Sequence, residues 1–196
     1  MADRMVGKRY EIISELGTGS MGMVFRALDR LTGQPVALKQ VNIPADKLNY
    51  TSRSQGGDPH LTLAQEFRIL ASLRHPNIIS VLDYGFDESR QPYVTMELLD
   101  HGVSVLDAGT DQPLDVRLNL LVQMLQALTY LHRRNVLHRD LKPSNVMVEN
   151  GVVKVLDFGL SVMSEQAPSG EVAGTPNYMA PELWFGDAAT KQSDLY

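Results

Sequence analysis

Short apolar runs separated by glycine-rich turns fill most of the first hundred residues. Residues 10 to 16, 23 to 28 and 36 to 41 alternate or cluster apolar side chains over the length of a strand, as half-buried β-structure does. Two further runs, at residues 78 to 82 and 93 to 99, have the same character. The pattern predicts a five-stranded antiparallel sheet in the first half of the chain.

One helix is predicted between the third and fourth strands. The apolar periodicity is lost from residue 42 to 60, where a polar stretch with glycines and proline indicates a mobile surface insertion. Thr62 can then cap a helix that ends at His75. Its apolar positions and its one carboxylate are Phe67, Leu70, Leu73 and Glu66.

Beyond residue 100 the apolar spacing becomes helical. A long amphipathic core helix is predicted from the recurrence of Leu118, Leu121, Val122, Leu125, Leu128 and Leu131. A polar link precedes it at residues 107 to 113, and apolar runs follow at 146 to 148 and 152 to 156. Asn150 and Gly151 between those runs signal a hairpin turn. The whole pattern predicts an α+β protein with a lobe boundary near residue 100.

Composition excludes several classes of function. The formal net charge of −5 gives no basic excess, so we expect no nucleic-acid partner. With no cysteine, the chain has no disulfide, thiolate nucleophile or cysteine-based zinc site. No stretch approaches the roughly 18 apolar residues of a membrane span, and the first residues lack the apolar core of a signal peptide. We therefore expect a cytoplasmic protein with no membrane segment in this chain.

Two features suggest phosphate binding, although neither is specific alone. Gly17, Gly19 and Gly22 match G-x-G-x-x-G, which dinucleotide-binding folds and ordinary flexible hairpins also use. The flanking residues are β-like and no Lys-Ser/Thr follows, so a glycine-rich hairpin over phosphates is favoured over a Rossmann or Walker A loop. Lys39 lies on an otherwise apolar strand. It is either a solubilising edge charge or an inward cation that needs an anionic partner such as Glu66.

Three later motifs make the chemistry specific. The run from His138 to Asn145 reads His-Arg-Asp-Leu-Lys-Pro-Ser-Asn, and residues 157–159 and 180–182 read Asp-Phe-Gly and Ala-Pro-Glu. Together with the glycine hairpin and Lys39, this set resembles the catalytic domain of the eukaryotic-like (Hanks-type) serine/threonine protein kinases. The resemblance covers residues 10 to 196, and the glycine segment is similar to bacterial members.

The resemblance implies a two-lobed protein-kinase-like fold. Residues 1–99 would form an N-lobe with a five-stranded antiparallel sheet, a glycine-rich flap and one helix. Residues 100–196 would form a mainly helical, incomplete C-lobe with the catalytic loop and activation segment. Because the family's domain continues for about a hundred residues further, we expect the fragment alone to be marginally folded and inactive.

Phosphoryl transfer needs positioning, charge neutralisation and a proton acceptor, and the resemblance distributes these tasks. Asp140 would accept the proton of the substrate hydroxyl, and Lys142 would reach the γ-phosphate of ATP. Lys39, held by Glu66, would bind the α- and β-phosphates. Mg²⁺ would be bound by Asn145 and Asp157.

The resemblance also outlines a nucleotide pocket. Glu97 and Leu99 would offer backbone groups to adenine, with Met96 as gatekeeper. Leu16, Val24, Ala37 and Met147 would line the pocket, although each is a core residue on the simplest interpretation. The full nucleotide-binding set is Leu16, Gly17, Thr18, Gly19, Ser20, Met21, Gly22, Met23, Val24, Ala37, Lys39, Met96, Glu97, Leu99 and Met147.

Other positions carry structural or regulatory expectations. Lys142 and the segment around Thr175 resemble the serine/threonine branch, in which Thr175 would touch Asp140 and Lys142. By resemblance, Asp194 would hold the backbone of the catalytic loop, whereas the imidazole of His138 would pack beneath that loop. Glu182 would pair with an arginine further along. Two weak phosphorylation candidates, equally well read as loop serines, are Ser164 and Ser169.

The expected activity is ATP-dependent phosphorylation of Ser/Thr hydroxyls on protein substrates, with autophosphorylation left open. A pseudokinase is the first alternative, and the presence of Lys39, Asp140, Asn145 and Asp157 weighs against it. The second alternative is a truncated interaction fragment without phosphotransfer.

Overall fold

The computed structural model describes residues 4–19, 22–41, 70–157 and 175–196. The chain divides into two compact units, Met1–Leu73 with Ser80–Asp100, and Arg74–Ile79 with His101–Tyr196. The strands are β1 (Met5–Val6), β2 (Tyr10–Gly19), β3 (Gly22–Asp29), β4 (Gln34–Val41), β5 (Val81–Phe86), β6 (Pro92–Met96), β7 (Val103–Ser104), β8 (Val146–Glu149) and β9 (Val152–Val155). The α-helices are α1 (Val105–Gly109), α2 (Leu114–Arg133) and α3 (Pro181–Trp184), with 3₁₀ turns at Pro143–Asn145, Pro176–Tyr178 and Ser193–Leu195. The predicted α+β class is confirmed.

The first unit is built on an antiparallel sheet in the order β1-β2-β3-β4-β6-β5. It has six strands among the described residues, not the five predicted, because Met5–Val6 pairs with the start of β2. Two residues are too few to produce an alternating pattern. The predicted strand at 78–82 is also displaced: β5 begins at Val81, and Ile78 instead bridges Val155 in the second unit. The apolar character of Ile78 and Ile79 correctly indicated that they are buried, but they do not belong to the sheet of the first unit.

The core of the first unit lies on one side of this sheet. Its members are buried apolar residues from five strands: Val6, Tyr10, Phe25, Ala27, Val36, Leu38 and Tyr93. Burial raises the pKa of Tyr10 to about 12. Beside it, the Arg9 guanidinium makes two bonds of 2.7 Å to Asp29 and one of 2.6 Å to Asp83. This ion cluster joins the residue before β2 to β3 and β5.

The predicted insertion and most of the predicted helix, including Glu66, lie outside the described residues. Residues 70 to 72 are helical, and Leu70 and Leu73 are buried. These positions agree with the apolar side of the predicted helix.

The second unit is organised around α2. Its buried residues are Leu120, Ala127, Leu128 and Leu131, whereas Leu118, Leu121, Val122 and Leu125 are each about half exposed. The expectation of a core helix therefore holds for one side of α2 only. Acidic Asp115 in its first turn, and His132 and Arg133 in its last, complement the helix dipole.

A three-stranded sheet, β7-β8-β9, packs against α2. Asn150 and Gly151 both have positive φ, as the predicted hairpin turn requires. Gln123 of α2 fixes this hairpin by donating to the Gly151 carbonyl and accepting the Val153 amide. The predicted polar link, residues 107–113, overlaps the end of α1, which the Ser104 hydroxyl caps. Among the described residues, no helix has the length and apolarity needed to cross a membrane.

Candidate active site

In the first unit, β2 and β3 form the predicted glycine-rich hairpin. Thr18 lies opposite Met23, and Gly19 opposite Gly22, while Ser20 and Met21 lie outside the described residues. Gly22 has φ +137°, and a Cβ there would overlap the carbonyl oxygen of Gln40 on β4. Only glycine allows this close approach of two backbones.

Lys39 lies in an interior strand, which excludes its interpretation as an edge charge. Its strand β4 pairs with β3 on one side and β6 on the other, and Lys39 is only 4% exposed. Lys39 stands opposite Val24, and Ala37 stands opposite Met96. Directly opposed and alternate residues share a face. Four residues predicted at the nucleotide site, Val24, Ala37, Lys39 and Met96, therefore lie on one face of the sheet.

Leu16 corrects the expectation of a core residue. It is 50% exposed because it sits in a β-bulge, where the pairing shifts between Glu15 and Gly17. The bulge turns Leu16 away from the core that Phe25 and Leu38 build. Val24 and Met147 are half-buried, and only Ala37 of the four pocket residues is fully buried.

In the segment after β6, Glu97 is hydrogen-bonded to a neighbouring residue, whereas the backbone of Leu99 has no hydrogen bond to a described residue. Glu97 is joined to Ser80 twice, because its backbone amide donates to the Ser80 carbonyl and its Oε1 accepts the Ser80 amide. Leu99 is half-buried, and its backbone makes no hydrogen bond to another described residue. The amide and carbonyl of Leu99 are thus available to a ligand.

In the second unit, Lys142 and Thr175 converge on Asp140, which lies in the His138–Asn145 segment, the predicted catalytic loop. Lys142 Nζ lies 2.7 Å from Asp140 Oδ2. Thr175 donates its backbone amide and its hydroxyl to Asp140 Oδ1, at 3.1 and 3.0 Å. Lys142 Nζ also donates to Thr175 Oγ1 at 2.7 Å. The contacts expected for Thr175 are therefore present.

Asn145 and Asp157 are brought near each other by the β8–β9 hairpin. Asn145 is buried and donates its Nδ2 to the Asp140 carbonyl at 2.8 Å. The Leu156 amide donates to the Asn145 carbonyl at 2.8 Å, so Asp157, the next residue, follows directly. Phe158 and Gly159 lie outside the described residues.

The donor chemistry here fits a hard divalent cation. The amide nitrogen of Asn145 donates to Asp140, and its Oδ1 has no hydrogen bond to any described residue. An amide oxygen and a carboxylate are ligands that Mg²⁺ accepts, with water and phosphate completing its shell. In the described part of the chain, no cluster of three or more His, Cys, Asp or Glu is arranged for a metal.

Asp194 anchors the backbone of the catalytic loop. Its buried carboxylate accepts the amide of His138 at 2.8 Å and that of Arg139 at 2.7 Å. Arg139 has φ +69°, a conformation that costs free energy and that these two bonds support. His132 Nε2 lies 2.8 Å from the same carboxylate. No motif in the sequence points to a role for His132, which lies in the last turn of α2, six residues before His138.

His138 lies beneath the loop, as expected from the sequence. Burial lowers the pKa of its imidazole, which favours the neutral form. Its Nε2 is 2.9 Å from the Leu156 carbonyl, and because a carbonyl only accepts, Nε2 carries the proton. His138 therefore links the catalytic loop to the residue before Asp157.

Glu182 is bonded to Ser193, a partner that the sequence does not predict. Its Oε1 accepts the Ser193 hydroxyl at 2.6 Å, and this bond lowers the pKa of Glu182. The two predicted phosphorylation candidates, Ser164 and Ser169, lie outside the described residues.

Comparison with known proteins places these motifs in one family. Residues 10–196 match the family described as protein kinase domain. The chain is 38% identical, over 98% of its length, to the DNA damage-responsive serine/threonine-protein kinase RqkA of Deinococcus radiodurans. It is 35% identical, over the same share, to the probable serine/threonine-protein kinase SCO3848 of Streptomyces coelicolor. A mitogen-activated protein kinase, mpkC of Neosartorya fischeri, is 37% identical over 89% of the chain.

The chain spans 29% of the length of each of the two bacterial relatives and 44% of the fungal one. The range matched by the family, residues 10–196, includes the glycine hairpin, Lys39, Asp140, Asp157 and Asp194. The family match covers all the motifs on which the resemblance was based. The chain therefore belongs to the protein kinase domain family.

Proposed function

We propose that this chain carries the catalytic residues of an ATP-dependent protein serine/threonine kinase. The observation that supports it best is the arrangement at Asp140, whose carboxylate contacts the ammonium of Lys142 and the hydroxyl of Thr175. An acceptor for a hydroxyl proton and a cation for a phosphate are thus adjacent. Transfer to a hydroxyl group requires this pair.

The reaction assigns separate tasks to these two side chains. The oxygen of a substrate Ser or Thr forms a bond to the γ-phosphorus, the bond from that phosphorus to the bridging oxygen of ADP breaks, and Asp140 takes the hydroxyl proton. Lys142 stabilises the negative charge on the transferring group. Thr175 holds Asp140 and Lys142 in one orientation, which lowers the entropic cost of reaching the reactive geometry.

The remaining site residues are proposed to hold the nucleotide. The glycine hairpin and Lys39 with Glu66 would bind the phosphates, and the backbone at Glu97 and Leu99 would bind adenine. Met147 would contact the base, and Asn145 and Asp157 would bind Mg²⁺. When bound, this ion would neutralise phosphate charge. The burial of Lys39 in an interior strand supports its proposed role in phosphate binding, because a buried ammonium group needs an anionic partner.

We propose that its partners are proteins that present Ser or Thr, with its own chain among the candidates, and not nucleic acids. The cytoplasm is its proposed location, because the reaction consumes ATP. Residues 1–196 alone are proposed to transfer phosphate slowly or not at all. The half-exposed leucines of α2, Leu118, Leu121 and Leu125, support this last proposal because they offer an apolar surface to additional structure.

The test is transfer of labelled γ-phosphate to dephosphorylated casein by the protein expressed from its complete reading frame. We expect label on serine and threonine after acid hydrolysis, dependence on Mg²⁺, and loss of label with Asp140→Asn or Lys39→Met. A pseudokinase would bind ATP and leave casein unlabelled. Equal labelling by the wild type and both variants would overturn the proposal.

A further inference from the structure

Ser193 links two parts of the second unit that are distant in sequence. Its hydroxyl donates to Glu182 Oε1 at 2.6 Å and accepts the backbone amide of Thr190 at 3.0 Å. Glu182 belongs to α3, whereas Ser193 begins the 3₁₀ turn Ser193–Leu195. A hydroxyl bonded to a carboxylate at this distance is a strong, charge-assisted hydrogen bond.

The link leads directly to the catalytic loop. Asp194, the next residue, accepts the amides of His138 and Arg139. The carboxylate of Asp194 is fully buried, so the backbone of the Ser193–Leu195 turn determines where this carboxylate points. A bond that fixes Ser193 therefore also fixes the acceptor that holds Arg139 in its positive-φ conformation.

The segment from Thr175 to Glu182 is consequently attached at both of its ends. Its first residue, Thr175, binds Asp140 directly. Its last residue, Glu182, reaches the residues just before Asp140 through Ser193 and Asp194. Covalent bonds and hydrogen bonds thus form a closed loop that includes Asp140. Its other linking residues are Thr175, Glu182, Ser193, Asp194 and Arg139. Within such a closed loop, the loss of one attachment loosens the remaining ones.

We propose that Ser193 is a positioning residue for phosphoryl transfer, which acts by holding Asp194 against the catalytic loop while its hydroxyl is bonded to Glu182. This inference rests on the proposed function. It assigns a role to a side chain that touches no substrate and that the chemistry of the reaction does not require. An anionic group at position 193 would face the Glu182 carboxylate, so the attachment needs a neutral donor there.

Amide hydrogen exchange tests the attachment without reference to activity. In Ser193→Ala, we expect the amides of His138 and Arg139 to exchange about 10-fold faster, as the loss of one such bond permits local opening. The amides of Val153 and Val155, which donate to Gln123 and Asn77, should keep wild-type rates. Unchanged rates at His138 and Arg139, or equal acceleration at all four amides, would overturn the proposal.

A matched variant separates the link from the turn. Thr190→Ala removes the hydroxyl that contacts Ser193 from just before the 3₁₀ turn and leaves the Glu182 bond intact. We expect near-wild-type protection of His138 and Arg139 in Thr190→Ala. Protection lost equally in Thr190→Ala and Ser193→Ala would show that only the turn matters and would contradict the role of Glu182.

Kinetics test the positioning role in the protein expressed from its complete reading frame. We expect Ser193→Ala to lower kcat about 10-fold with the KM for ATP unchanged, because a misplaced Asp140 slows chemistry and not nucleotide binding. Ser193→Thr, which keeps the hydroxyl, should recover most of the rate, and Ser193→Asp should lose more than Ser193→Ala. A wild-type kcat in Ser193→Ala would overturn the proposal. If the wild type transfers no phosphate, the proposed function fails, and hydrogen exchange still decides whether the attachment exists.

Discussion

Thr175 gives both its backbone amide and its hydroxyl to one carboxylate oxygen of Asp140, at 3.1 and 3.0 Å. The hydroxyl also accepts Lys142, so one oxygen atom orients both groups that the proposed reaction needs. We therefore expect Thr175→Ala to lower kcat about 10- to 100-fold through misplacement of Asp140. Thr175→Ser keeps the hydroxyl and should retain most of the activity. Steady-state kinetics on casein would check this, and equal rates for Ala and Ser at position 175 would contradict it.

A second, independent prediction concerns the role of Asn145 in the Mg²⁺ requirement. Its amide nitrogen supports the Asp140 carbonyl, and its Oδ1 is proposed to bind Mg²⁺. Asn145→Ala should raise the Mg²⁺ concentration needed for half-maximal transfer several-fold, because one ligand is lost. Titration of transfer rate against Mg²⁺ at saturating ATP measures this. Gln112→Ala, which removes an exposed polar side chain before α2, is the control and should leave the Mg²⁺ requirement unchanged.

Gly22 predicts a steric effect at the glycine hairpin. In Gly22→Ala, the new Cβ would meet the Gln40 carbonyl and the β3–β4 pairing would have to open. We expect a loss of about 2–3 kcal/mol in the free energy of unfolding and weaker ATP binding. Gly33→Ala is the matched control, because Gly33 also has positive φ but no atom near a Cβ. That variant should cost only about 1 kcal/mol of backbone strain. Urea unfolding and nucleotide titration measure the two effects.

Asp29 predicts how the stability depends on pH. The Arg9 guanidinium bonded to it holds the pKa of Asp29 well below its ordinary range. The stabilisation is therefore complete above the unfolded-state value of about 4 and is lost as the pH falls further. Asp29→Asn should cost about 2–3 kcal/mol at neutral pH, less than a fully buried pair because Arg9 is one-third exposed.

The pH series of urea unfolding provides the check on Asp29. The difference between wild type and Asp29→Asn should shrink steadily below about pH 4. A difference that stays constant down to pH 2 would refute the assigned pKa. Asp100→Asn is the control, because the Arg26–Asp100 pair is half exposed on both sides and should contribute about 0–1 kcal/mol.

The sequence was most informative where a local rule decides the structure. Asn150 and Gly151 both require positive φ for a tight hairpin, and the turn is present. Thr175 was placed against Asp140 by resemblance, and the two residues are in contact. Burial without context was less reliable: Leu16 was expected in the core and lies in an exposed bulge, since pairing shifts depend on the partner strand.

Other features could not be predicted because they depend on tertiary proximity. Ile78 and Ile79 form an apolar run that a strand would also show, but they bridge β9 of the second unit. Met5–Val6 is too short to show alternation. The Glu182–Ser193 bond joins residues eleven positions apart through a turn whose path no local pattern specifies. The contact of Glu66 with Lys39 remains a prediction.

Asp140 is proposed to serve phosphoryl transfer from ATP to protein hydroxyls. The most direct measurement is the initial rate of γ-phosphate transfer to casein by wild type, Asp140→Asn and the control Asp187→Asn, whose aspartate is exposed. We predict that Asp140→Asn lowers kcat about 10²- to 10⁴-fold while ATP affinity is retained, and that Asp187→Asn behaves as wild type. A wild-type rate in Asp140→Asn would contradict the claim.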